Sequence, residues 1–340
     1  MELSELQNRM KKQIEMKIKQ NLYQFEFVPC CICNKKNFIN LSKKDRYGLY
    51  TSIVVCRICG LIQTNPRMNQ ASYYDFYKYE YRKLYSNREK PSDLFFFNLY
   101  KKGEGIYSYL LKNNLLKKSP ADSYVLEIGC SSGGILKFFK DKGFNIKGID
   151  VDEEYIQFGK NNYNLDLEVG TLKDIKINLA PDIIIYSHVL EHLLSLNEEL
   201  ILINNLISDG GVLYIELPGV KNLKNSYKNN FLRYLQNAHT YHFSLTSLTN
   251  LLKINGFHLI VGDEFIKGVF KKNKFDDSKV VIKNDFKDVM NFLNKLENFR
   301  MFYYIRKNLK DIIQAFKNLN FKQIKIIILN RNKGIIKKLQ

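Results

Sequence analysis

The alternation of apolar runs and amphipathic segments after residue 124 leaves few folds open to this chain. "YVLEI" (124–128) reads as a strand, 133–143 as a helix closed by Gly143, "NIKGID" (145–150) as a strand and 153–163 as a helix. "DLEV" (166–169), the apolar "PDIIIYSH" (181–188) and "GVLYIEL", ending at Pro218, add further strands, with a long helix expected over 191–207. A less regular polar insert spans 219–243. A helix over 244–257, capped by Gly256, and a strand beginning "HLIVGDEFI" close the series. Strands alternating with helices predict a parallel, doubly wound α/β sheet covered on both faces.

What precedes and follows this core differs in kind. Residues 1–27 are expected to form a helix, with Leu3, Leu6, Met10, Ile14 and Ile18 at helical spacing. A cysteine-bearing module spans 28–66, a tyrosine-rich connecting or lid segment 67–120, the α/β core 121–270 and a basic helical extension 271–340. The formal charge is +19, and 271–340 alone carries 18 Lys and Arg against 6 Asp and Glu. No apolar run reaches the roughly 18 residues of a membrane-spanning helix. The first twenty residues are charged throughout and hold no apolar stretch of a signal peptide, so a cytoplasmic location is expected.

Five of the six cysteines fall in one window. Cys30-x2-Cys33 and Cys56-x2-Cys59 are two tight turns, each able to set two thiolates on one side, and together they suit a tetrahedral, structural Zn2+ site. Asn34 and Gly60 follow the pairs, and both residue types tolerate the positive φ such turns require. Cys31 is the expected bystander.

The turn after the first core strand reads Glu127-Ile128-Gly129-Cys130-Ser131-Ser132-Gly133-Gly134. A dinucleotide fingerprint needs glycine where Ser131 stands, to make room for a pyrophosphate. A ligand without a pyrophosphate tolerates Ser131, and Glu127 suits a positively charged ligand group. Asp150, closing the second strand, is placed to accept both hydroxyls of a ribose.

At these residues, over roughly 121–265, the chain resembles the class I S-adenosylmethionine-dependent methyltransferases. The resemblance implies an α/β fold: a Rossmann-like seven-stranded methyltransferase sheet, with a small N-terminal zinc-ribbon-like module and a helical C-terminal extension. It puts Glu127 near the methionine amino group of S-adenosyl-L-methionine, Gly129, Ser131 and Gly133 at the cofactor, and Asp150 on its ribose. "PDIIIYSHVLEHL" resembles the family's fourth-strand segment, beneath the transferable methyl group, which adds Ser187 to the cofactor set.

"VVCRICGLIQTNPRMNQASYYDFYKYEYRKLYS" resembles the corresponding stretch of bacterial methyltransferases with an N-terminal zinc-binding domain. These include sugar C-methyltransferases acting on nucleotide-linked keto-deoxysugars, and enzymes of surface-polysaccharide and secondary-metabolite pathways. The resemblance implies His192 as the catalytic base, Glu191 as its substrate-holding neighbour and Tyr79 or Tyr81 as the active-site tyrosine. The sugar C-methyltransferases carry a large C-terminal domain, and this chain departs from them there, which leaves O- and C-methylation both open. His188, His192, His239 and His242 are all expected on the open edge of the sheet, although His242 also suits a cap for the helix at 244–257. The tyrosines suit either a sugar-binding lid or packing between module and core.

An RNA methyltransferase is the main rival. The segment after the fourth strand reads "YSHVLEH" where a base-positioning N/D-P-P-Y/F motif would stand, so a small-molecule or glycan acceptor, free or as a nucleotide-linked sugar, is expected in place of nucleic acid. A fold that has lost its chemistry is opposed by the intact Glu127, Gly129 and Asp150. "FKQIKIIILNRNKGIIKKL" in the tail mixes Lys and Arg with Ile and Leu, which suits peripheral membrane contact, packing on the core or a dimer contact. The sequence does not set the oligomeric state.

Overall fold

In the computed structural model, residues 3–86, 90–273 and 280–317 are described, and the chain divides into two units, Met1–Met290 and Asn291–Gln340. Helix α1 (Glu5–Lys19) opens the first unit on a capping box in which Ser4 and Gln7 exchange side-chain and backbone hydrogen bonds. Its Met10 and Ile14 are buried in a cluster with Tyr23, Leu49, Met68 and Phe76. Strand β1 (Phe25–Glu26) leads into the cysteine module, where β2 (Phe38–Lys44), β3 (Tyr50–Cys56) and β4 (Ile62–Thr64) run antiparallel. Strand β5 (Arg67–Met68) returns to pair with β1.

The tyrosine-rich connection is helical. Asn69 caps α2 (Gln70–Phe76), a single π-helical turn follows over Tyr77–Tyr81, and α3 (Arg82–Tyr85) completes the segment. Such turns interrupt α-helical side-chain spacing and recur at functional sites. Here the turn brings the rings of Tyr77 and Tyr81 into a stack, with centroids 4.2 Å apart. Helix α4 (Asp93–Lys112) begins at Ser92 and packs closely on the core. At Gly103 an added Cβ would lie 2.7 Å from the backbone oxygen of Ile135, so only glycine permits that approach.

The core then runs β6 (Tyr124–Ile128), α5 (Gly134–Asp141), β7 (Asn145–Asp150), α6 (Glu153–Tyr163), β8 (Leu167–Val169), β9 (Ile183–Ser187), α7 (Leu196–Leu206) and β10 (Val212–Glu216). The insert holds α8 (Lys224–Tyr227), α9 (Phe231–Tyr234) and β11 (Tyr241–His242), before α10 (Leu245–Ile254), β12 (Phe257–Gly262) and β13 (Lys267–Lys272). Seven strands form one sheet in the order β12-β13-β10-β9-β6-β7-β8, parallel except for β13, which runs antiparallel to both neighbours. Alternate residues of β9 and β10 feed two apolar layers: Ile184, Tyr186, Leu213 and Ile215 in one, Ile183, Ile185, Val212 and Tyr214 in the other. Strand β11 pairs with β4, so the insert completes the module's sheet and ties it to the core.

Three expectations change. The long helix over 191–207 is a 3₁₀ turn, Leu190–His192, followed by a separate α7. The carbonyl of Glu191, which a continuous helix would use, instead accepts the amide of Thr240 at 2.8 Å. His242 does not cap the helix at 244–257: it is buried in β11, and Ser244 caps α10. Strand β13 interleaves lysines with only two large apolar residues, a pattern too weak to read as a strand. The second unit holds most of α11 (Phe286–Lys317), on which Arg300 pairs with Glu297 at 2.9 Å. The tail from 321 onward, read as an interfacial, packing or dimer segment, lies outside the described residues. Among the described residues no helix is long and apolar enough to cross a membrane.

Candidate functional site

The turn between β6 and α5 builds one side of the site. Gly129 and Gly133 have φ of 70° and 77°, and Ser131, at 52°, shares the left-handed region. A Cβ on Gly129 would sit 2.3 Å from Cγ2 of Val189. This winding points the Ser131 amide at Oδ2 of Asp150 (2.8 Å), while the amide of Asp152 donates to Oδ1 (2.9 Å). Burial raises the pKa of Asp150, against the pull of Arg82 and these amides.

Glu127 is 2% exposed at the end of β6. Burial, reinforced by Asp150 and opposed by Lys102, pushes its pKa well above the usual carboxylate range. Its Oε2 and the hydroxyls of Ser131, Ser132 and Ser187 are buried with no hydrogen-bond partner among the described residues. Unmet buried polar atoms beside a glycine cradle are what a bound polar ligand would satisfy. A ligand with an ammonium group and a ribose diol fits that set: the ammonium beside Glu127, the diol on Asp150.

Two cations here escaped the sequence reading. Arg82 donates from Nε to Asp152 Oδ2 (2.5 Å), approaches Asp150 Oδ1 at 3.9 Å and lies 3.9 Å over the ring of Tyr155. It belongs to α3, so the tyrosine segment reaches the Asp150 side of the cradle. Lys102 on α4 sits 3.7 Å from Glu216. Burial lowers its pKa, opposed by Glu216, Glu127 and Glu191. Both lie on helices outside any motif, and spacing gives no sign of either.

Past β9, His188 takes φ of 58°, a costly conformation for a residue with a side chain. The chain there turns Glu191 and His192 inward, to 1% and 7% exposure. His192 Nδ1 lies 2.9 Å from the carbonyl of Ala238, so Nδ1 carries the proton and Nε2 the lone pair. The hydroxyl of Tyr81 faces Nε2 at 3.5 Å, and the rings of Tyr77 and Tyr81 both meet the imidazole edge-on. Burial depresses the His192 pKa, with Glu191 opposing, so the ring is neutral near pH 7. Burial raises the Glu191 pKa, but His188 and His192 together take it below its usual value. His188 Nδ1 is 3.5 Å from Glu191 Oε1.

Tyr79 stands apart. Its ring is 47% exposed and lies beneath the ammonium groups of Lys17 and Lys78, so the tyrosine at His192 is Tyr81. His239 and His242 are buried beside His192, and burial drives the His242 pKa down to about 3.

The four thiols form a separate cluster. Cys30 and Cys59 Sγ lie 3.4 Å apart, Cys33 and Cys56 Sγ 3.5 Å, and all four fall within 4.8 Å of one another. Sulfurs around a tetrahedral zinc, each about 2.3 Å from it, stand about 3.8 Å apart, so the set fits that ion. Asn34 and Gly60 take positive φ. Cys31 is outside the cluster, and its carbonyl accepts from Asn197.

Residues 105–261 match the family model of a methyltransferase domain. An uncharacterized methyltransferase of Staphylococcus carnosus (strain TM300) is 26% identical over 162 residues, covering 46% of this chain and 77% of that protein. Similar solved structures include an S-adenosylmethionine-dependent methyltransferase from Clostridium acetobutylicum ATCC 824 (14% identical, 59% of this chain and 99% of that one, TM-score 0.41). Another is magnesium protoporphyrin IX methyltransferase from Synechocystis PCC 6803 with bound S-adenosylhomocysteine (13% identical, 59% and 98%, TM-score 0.43). The domain match marks residues 105–261 as a methyltransferase domain, and the relative that covers much of the same stretch is a methyltransferase.

Proposed function

We propose that this enzyme methylates an oxygen, or a carbon next to a ketone, on a sugar or glycan-pathway intermediate, free or nucleotide-linked. The observation that carries this reading is His192: buried, neutral, and held by Ala238 so that Nε2 is a bare lone pair facing Tyr81. Bound S-adenosylmethionine supplies an electrophilic methyl group on a sulfonium, which leaves as a neutral thioether. His192 takes the acceptor's O–H or C–H proton on Nε2 as the acceptor oxygen or carbon bonds to the methyl carbon. Glu191 stabilises the imidazolium and accepts a hydrogen bond from the acceptor. Glu127, the 129–133 turn, Ser187 and Asp150 hold the cofactor. Tyr77 and Tyr81 offer a ring face and a phenol edge to a polyhydroxylated ring. The closed set Cys30, Cys33, Cys56 and Cys59 holds a structural zinc, with no position left open for catalysis.

The test is methyl transfer from labelled S-adenosylmethionine to a panel of nucleotide sugars and extracted polysaccharides. Incorporation into a sugar supports the reading. Labelling of RNA, and of none of the panel, would sink it.

A further inference from the structure

Beside His192 stand two more imidazoles, His239 with its ring centroid 4.7 Å from that of His192 and His242 with its own 5.6 Å from that of His239. Glu191, His192 and His239 place donor atoms within 4.8 Å of one another, a grouping that in composition resembles a divalent-cation site. Hydrogen bonding around His239 decides against that use. A guanidinium has only donors, so the Gln236 atom that Arg46 Nη2 meets at 2.8 Å is Oε1. The amide NH2 of Gln236 then faces Nε2 of His239, and that nitrogen must carry the lone pair. The single ring proton is left on Nδ1, which has no partner among the described residues. A protonated nitrogen cannot ligate a metal ion, but it can donate a hydrogen bond.

Arg46 is itself fixed. Its guanidinium lies 5.2 and 5.3 Å over the rings of Tyr47 and Tyr85, and its backbone amide donates to Leu235 at 3.0 Å. The neighbouring Asp45 accepts from the amides of Tyr47, Leu49 and Asn237. The ring of His239 is therefore oriented from the cysteine module through Gln236 of the insert.

We propose that Arg46, through Gln236, holds His239 as the neutral Nδ1–H tautomer, so that the ring donates a hydrogen bond to an oxygen of the methyl acceptor. This rests on the reading of His192 as the base and deepens it. One imidazole takes a proton on Nε2 while its neighbour offers one from Nδ1, which matches an acceptor with adjacent oxygen functions, such as a vicinal diol or a hydroxyketone. Arg46 and Gln236 are positioning residues that act through His239.

The full chain, zinc-loaded and saturated with S-adenosylhomocysteine, carries five histidines, few enough to assign in two-bond 1H–15N spectra by single substitutions. The wild type should show His239 protonated at Nδ1. Gln236→Glu keeps a partner for Arg46 but turns a carboxylate to Nε2, and should move the proton to Nε2. Arg46→Met should give a mixture of tautomers. Turnover of Gln236→Glu on the acceptor found in the panel should fall at least about tenfold in kcat, with S-adenosylhomocysteine affinity unchanged. A wild-type His239 protonated at Nε2 would overturn the proposal, and so would a tautomer indifferent to Gln236→Glu. A divalent cation bound beyond the four-cysteine site and lost in His239→Asn would overturn it too. The wild-type spectrum needs no variant to fold and no acceptor. Full turnover by His192→Ala would remove the base assignment while leaving the His239 tautomer to be judged by the spectrum alone.

Discussion

The backbone amide of Ser131 donates to the Asp150 carboxylate at 2.8 Å, joining the first core turn to the end of the second strand. The other Asp150 oxygen takes the amide of Asp152, so each oxygen already anchors one loop. Asp150→Asn would turn an NH2 toward one of those amides and leave a buried donor unpaired, at a cost of about 1–3 kcal/mol. Calorimetry should show S-adenosylhomocysteine affinity reduced roughly 10- to 100-fold, since 1.4 kcal/mol is a factor of ten. Unchanged affinity would remove Asp150 from the cofactor set.

Gly129→Ala should abolish cofactor binding with the fold retained. The added methyl meets Val189 at 2.3 Å and also strains a backbone with φ of 70°. Adding Val189→Ala relieves the clash but not the strain, so the double variant should recover part of the affinity. Recovery to the wild-type level would show that the backbone conformation carries no cost.

Purified protein should contain one zinc per chain, retained in Cys31→Ser and lost in Cys59→Ala. Loss of the ion should lower the thermal midpoint by several degrees, because the metal joins two turns of a small sheet with little apolar core of its own. Circular dichroism melts with and without chelator check this. A Cys31→Ser protein lacking zinc would place the wrong thiol in the site.

His242 gives stability a sign in acid. Its folded pKa, about 3, lies below the ordinary 6.5, so between those values the unfolded chain binds a proton that the folded one does not. Stability from this group is therefore present in full above pH 6.5 and falls as pH drops through the window, by at most about 1.4 kcal/mol per unit. Glu127, with its raised pKa, works in the opposite sense. The His242→Phe variant isolates the histidine: its thermal midpoint should fall less than that of the wild type between pH 6.5 and 5. Parallel curves would contradict the assignment of a buried, neutral His242.

The strand and helix alternation was legible because burial on both faces leaves continuous apolar runs in β9 and β10. The cradle was legible because Gly129, Gly133 and Asp150 answer a local geometric demand at fixed spacing. What joins the site from elsewhere was not. Arg82 and Lys102 reach it through the packing of α3 and α4, and no periodicity records which lysine or arginine faces inward. Tyr81 in place of Tyr79 depends on one π-helical turn, and the break after His192 on an amide donated by Thr240, nearly fifty residues later. The sequence shows which residue types are present, but these long-range hydrogen bonds decide their orientation.

The central claim is that a buried, neutral His192 removes the acceptor proton. The most direct test is turnover of labelled S-adenosylmethionine by the wild type and by His192→Ala on the acceptor identified in the panel, with S-adenosylhomocysteine binding measured on both. His192→Ala should lower kcat at least about 100-fold and leave cofactor affinity unchanged. Equal turnover with equal cofactor affinity would contradict it.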